Sequence, residues 1–69
     1  MAFITEEYPA YQIEEADRVL IDDDIVEVVG IVDEIYKFVF LFLDNYGDTF
    51  EKTVLADDSL TVFLGEERD

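Results

Sequence analysis

Six consecutive apolar residues, Phe38-Val39-Phe40-Leu41-Phe42-Leu43, constrain the fold of this chain more than any other stretch. A helix needs about 20 apolar residues to cross a bilayer, so the run is far too short for that. Lys37 and Asp44 bound it, as charges that discourage aggregation. A short, uninterrupted apolar run of this kind reads as a strand covered on both faces. Successive side chains of a strand point to opposite sides. Phe38, Phe40 and Phe42 therefore share one face, and Val39, Leu41 and Leu43 share the other. One face fills an interior. The other is covered by an N-terminal arm through Phe3, Tyr8 and Tyr11, by a second copy in a homodimer, or by a target.

The flanking segments extend the same pattern. Residues 25–35 predict a strand, with Val26, Val28 and Val32 on one face and Ile25, Val29, Ile31 and Ile35 on the other. Gly30 interrupts it and marks a bulge or sharp bend. Asp44-Asn45-Tyr46-Gly47-Asp48 predicts a hairpin with Gly47 at a positive φ. Residues 49–55 return as a strand, with Phe50 and Val54 on one side. Asp57-Asp58-Ser59 reads as a turn, residues 60–64 as the last strand, and Gly65 as its end. Upstream, Asp22-Asp23-Asp24 reads as a turn and residues 11–14 as a short strand. Pro9 biases Tyr8 toward an extended conformation within an irregular arm. The expectation is an all-β domain over residues 11–64, with an N-terminal arm (1–10) and an acidic tail (65–69). Its four or five strands form a small SH3-like barrel or a strongly curled antiparallel sheet.

Nineteen carboxylates accompany four cationic side chains among 69 residues, for a formal net charge of −15. A hydrophobic fraction of 51% separates the chain from a disordered acidic tail. Such a surface repels nucleic acid and anionic membranes and attracts basic surfaces, commonly those that hold nucleic acid. The absence of cysteine rules out a disulfide or a thiolate zinc site. The absence of histidine removes the commonest general base and metal ligand. Glu6 and Glu7 stand where a cationic leader would lie. The reading is a soluble protein of a reducing compartment: cytoplasm, or host cytoplasm if phage-encoded.

The order of signals over residues 20–62 resembles a small SH3-like barrel. The carrying residues are Asp24-Ile25, Val28, Gly30 and Val32, then Leu43-Asp44-Asn45-Tyr46-Gly47-Asp48, then Phe50-Glu51-Lys52-Thr53-Val54 and residues 57–62. The same order is similar to the N-terminal domain of elongation factor P and to many small phage proteins. In the elongation factor P domain, the hairpin tip carries a basic loop whose lysine works on the ribosome. Here the tip Asp44-Asn45-Tyr46-Gly47-Asp48 has no cation, so the translation role is not carried over. In size and acidity the chain resembles phage-encoded inhibitors of host enzymes, some of which imitate DNA.

The acids suit three chemistries in principle: metal binding, acid–base catalysis and protein binding. Asp22-Asp23-Asp24 and the 44–48 tip offer hard oxygen ligands, but Tyr46 stands where an EF-hand ligand belongs, and turn chemistry explains both clusters without metal. Paired carboxylates can serve as acid and base only in a deep cleft, for which a domain of this size has little room. Ser59 and the threonines have no histidine to activate them. No enzyme, cofactor or metal site is therefore expected. The remaining reading is binding. Carboxylates two residues apart on a strand lie about 6.5–7 Å apart on one face, comparable to successive phosphates of one DNA strand. The nominated contact residues are Glu14, Glu15, Asp22, Asp23, Asp24, Asp33, Glu34, Asp57 and Asp58, with Tyr8, Tyr11 and Tyr46 as exposed aromatic anchors. The partner would be a basic protein, such as a nucleic-acid-binding enzyme, inhibited by charge mimicry. The alternative is a structural or accessory barrel of a virion or other assembly, acidic for solubility.

Overall fold

The apolar run becomes the centre of a sheet. In the computed structural model, which describes residues 2–66, strands β1 (Phe3–Pro9), β2 (Arg18–Ile21), β3 (Asp24–Asp33), β4 (Lys37–Leu43), β5 (Thr49–Leu55) and β6 (Ser59–Glu66) form one six-stranded sheet. The order is β1-β6-β2-β3-β4-β5, and every pairing is antiparallel. β4 is bonded on both sides, so none of its backbone polar groups faces an open edge. Phe40 and Phe42 are fully buried, and their rings stack at centroid distances of 6.0 and 5.9 Å along the row Phe38-Phe40-Phe42. Phe42 also meets Phe50 across the β4–β5 pair at 5.4 Å. Val19, Val26, Val28, Val54, Leu60 and Val62 close the core around them. Burial of such side chains contributes roughly 1.5–3 kcal/mol each.

The sheet has to curl. β5 and β6 are joined by only three residues, 56–58, yet three strands lie between them in the sheet. Laid flat, the two strands would be about 19 Å apart, at roughly 4.8 Å per step. Three linking residues reach only about 14 Å when extended. The pairing pattern also makes β5 and β6 run in the same direction, so the link would have to travel back along a strand as well. Folding the sheet over onto itself removes the first conflict, bending and twisting of the strands turns the end of β5 toward the start of β6, and together they create the single interior. The sheet does not close: β1 and β5 remain its edges.

Several expectations are corrected by this architecture. Six strands form rather than four or five. Most of the predicted arm is a strand, because β6 would otherwise expose an edge; β1 pairs along it from Phe3 to Pro9, and Phe3 packs edge-on against Phe63 at 5.2 Å. The expected strand at 11–14 is replaced by a short 3-10 helix, Ala10–Gln12, entered from extended Pro9, with Ala10 and Ile13 buried. β6 continues through Gly65 to Glu66, opposite Phe3. Of the predicted acidic tail, residues 67–69 lie outside the described residues.

The bulge forms in β3, and it changes which residues face inward. Val28 pairs with Phe42 and Gly30 with Leu41, leaving Val29 as an extra residue. One extra residue inverts the alternation beyond it. Val26 and Val28 are buried, but Ile31 then packs on the core and Val32 is 57% exposed. The expectation that Val32 shares a face with Val26 and Val28 is therefore overturned by the bulge that the same glycine announced. A Cβ on Gly30 would meet the Leu41 Cβ at 3.4 Å, so glycine also gives Leu41 room.

Candidate protein-binding surface

No charged side chain is buried among the described residues, and one ion pair forms, Lys37 Nζ to Glu34 Oε2 at 3.4 Å. The acids of the described residues thus lie outside the curl, most of them at turns and strand ends. The nominated acids fall into three groups, while Glu6, Glu7 and Glu51 lie along strands β1 and β5.

The first group occupies the end of the sheet where β2 turns into β3 and β4 into β5. Ile21 pairs with Asp24, which leaves a two-residue turn of Asp22 and Asp23. Both have positive φ, 49° and 71°, as a type I′ hairpin turn requires. The triplet is therefore a rigid corner. In the neighbouring hairpin, the Asp44 Oδ1 accepts the N–H of Tyr46 at 2.9 Å and of Asp48 at 3.0 Å. Gly47, at φ 85°, completes the reversal. Asp44 thus holds the hairpin, and Tyr46 stands 87% exposed at its tip. An open groove of about 550 Å³ runs beneath, lined by Asp23, Asp24, Glu27 and Asp44 with Arg18 and Phe3.

The second group lies at the opposite end. The 56–58 turn is tied to the β3–β4 connection by the Ala56 N–H donating to the Tyr36 carbonyl at 3.0 Å. It is tied to the end of β1 by the Ala10 N–H donating to the Asp58 carbonyl at 2.9 Å. These bonds draw Asp33, Glu34, Asp57 and Asp58 to one end, with Tyr11 following Ala10 and 66% exposed. Ile35 and Tyr36, 87% and 80% exposed, stand among them.

The third group is the turn before β2. The Asp17 N–H donates to the Glu14 carbonyl at 3.2 Å, and Asp17 Oδ2 accepts the Glu14 N–H at 2.9 Å. The Ala16 N–H donates to the Val28 carbonyl and the Val28 N–H to the Asp17 carbonyl, so this turn continues the β2–β3 ladder past Arg18. Glu14 and Glu15 are exposed there, at neither end group.

The nominated acids thus do not make one continuous face. Tyr8 is not an exposed anchor: it lies opposite Leu60 and packs half-buried against the core, because its strand position faces the curl. Ile35 and Tyr36 were missed as surface residues. Their signal was the run Asp33-Glu34 before them and Lys37 after them, which ends the strand at Asp33 and turns the apolar pair outward. Among the described residues no three acids converge as a cation site, and no helix is long and apolar enough to cross a membrane. No protein-family model matches the chain, and no curated protein is significantly similar to it.

Proposed function

We propose that this protein is an acidic protein-binding module that occupies a basic, nucleic-acid-binding surface of another protein and inhibits it by competition, as a phage-type inhibitor does. One observation carries the reading: the chain has a net charge of −15, and its described residues fold into a sheet with no buried charge and a single internal ion pair, with part of the acid on hydrogen-bonded turns. Turns whose backbone is already held lose little further backbone freedom when their carboxylates meet Lys and Arg, and the counterions that both surfaces release favour the complex. A second reading, an accessory module of a virion or other assembly, is favoured by the two unpaired edges, β1 and β5.

The test is affinity capture from a host lysate with a salt-gradient elution, followed by competition with DNA. The expected result is one nucleic-acid-binding protein that elutes with salt and is displaced by DNA. Retention that DNA does not displace would overturn the mimicry. Self-association at high concentration in equilibrium sedimentation would favour the assembly module.

A further inference from the structure

We infer that the contact is made by one end of the sheet, where an exposed apolar cluster is ringed by acids, and that its occupant is a basic protein surface offering an apolar or aromatic platform between Lys and Arg side chains. This rests on the reading of the protein as an acidic binding module and names its working face.

The sheet register assembles the cluster. Val32 pairs with Val39, and Lys37 with Leu55. Cross-strand partners share a face, and so do residues two apart on β4, so Val32, Val39 and Leu55 stand on the outside of the curl. Val32 and Leu55 are more than half exposed. The β3–β4 connection adds Ile35 and Tyr36, consecutive and almost fully exposed, and the Ala56 to Tyr36 bond holds that connection against the next turn. Isolated exposed hydrophobics are ordinary, whereas a cluster rimmed by polar groups marks an interaction site. An aromatic residue at the centre of a charged rim is also the composition of an interface hot spot.

Charge selects the occupant. Glu34, Asp57 and Asp58 flank the cluster in the two connections that carry it, Asp33 lies at the same end on the face it shares with Phe38, and Lys37, the cation beside the cluster, is already engaged by Glu34. A second copy would set two such rims and two chains of −15 against each other. Nucleic acid and anionic membranes are repelled by the same rim. A flat ring beside carboxylates instead presents what a single-stranded nucleic acid presents, a base beside phosphates. Grooves that bind single strands combine cations with aromatic stacking platforms. At the opposite acidic end the exposed ring of Tyr46 stands at a hairpin tip, and the nearby aliphatic residues Ile25 and Leu43 are half-buried.

Two synthetic peptides of equal charge test this at moderate ionic strength: one of lysine alone, and one in which tryptophan interrupts the lysines. Amide NMR spectra of the labelled full chain are followed during titration. The expected result is that the tryptophan peptide binds about tenfold tighter or more, with shifts concentrated at 32–37 and 55–58. The double variant Ile35→Ser/Tyr36→Ser, at exposed positions, should lose that advantage and keep the affinity for the lysine peptide. Equal affinities, or shifts spread over both acidic ends, would overturn the docking face and leave the acidic-module reading intact. Binding of neither peptide above a neutral control would overturn that reading itself. Shifts at Ile35 and Tyr36 that depend on protein concentration without peptide would assign the face to a second copy instead.

Discussion

Exchanging alanine and glycine between two turns should move stability in opposite directions. Ala16 has φ 75° and Gly47 has φ 85°. Both conformations are imposed from outside the residue. The Glu14–Asp17 turn, with a positive φ at its third position, is a type II turn that favours glycine there. The Ala16 N–H is further pinned to the Val28 carbonyl at 2.8 Å. The Asp44–Asp48 reversal is closed by the Asp44 N–H donating to the Asp48 carbonyl at 2.9 Å. Neither methyl group is required for packing: Ala16 is exposed, and a Cβ on Gly47 would meet nothing within 4 Å. Charge is also unchanged, so the backbone term stands alone. A left-handed conformation costs an L-residue roughly 1–2 kcal/mol. A glycine adds about 0.4–1 kcal/mol of freedom to the unfolded chain. The difference makes Ala16→Gly stabilising by about 0.5–1 kcal/mol and Gly47→Ala destabilising by about the same. In a domain of this size, 1 kcal/mol moves the melting temperature by roughly 4–8 °C. Thermal and urea unfolding followed by circular dichroism measure both, and the double variant should melt close to the parent because the turns are separate. Shifts of the same sign in the two single variants would refute the reasoning.

Three further outcomes follow from the same structure. Raising ionic strength from low to moderate should raise the melting temperature, because the chain carries a net charge of −15 and a single ion pair forms among the described residues; a flat or falling curve contradicts this. Asp44→Ala removes the acceptor of two backbone N–H groups and should cost about 1–2 kcal/mol in urea unfolding, with Asp44→Asn milder; an unchanged midpoint for Asp44→Ala counts against its holding role. Phe40→Ala, at the fully buried centre of the stacked row, should cost about 3–5 kcal/mol and unfold much of the population at room temperature; a native-like spectrum would show that the row is not the core.

The strand pattern was legible where one physical cause acted locally. Alternating side chains over 38–43 and 49–55 placed β4 and β5, and residues with special turn conformations marked the β2–β3 and β4–β5 reversals. Where two local signals competed, the outcome was hidden. Gly30 announces a bulge, while unbroken alternation would put Val32 inward and Ile31 outward; the bulge reverses both. Residues 3–9 carry too weak an apolar pattern to read as a strand, and they become one because β6 offers an unpaired ladder. The acids were legible as a surface, but their grouping was not, since the connections that carry Asp33 and Asp57 are joined by a backbone bond between Tyr36 and Ala56 rather than by their own side chains.

Charge, the lack of histidine and cysteine, and the apolar row 38–43 are properties of the residues themselves, and they determined by themselves an acidic all-β domain. The pairing of β6 with β2, and the tie of the 56–58 turn to Ala10 as well as to Tyr36, were decided only by the curl of the sheet, whereas the end each acidic turn occupies follows from the antiparallel alternation of the strands. The reason is geometric. A three-residue link between strands that lie far apart in the sheet forces the fold-over, and contacts so distant in sequence leave no mark in any local pattern of residues.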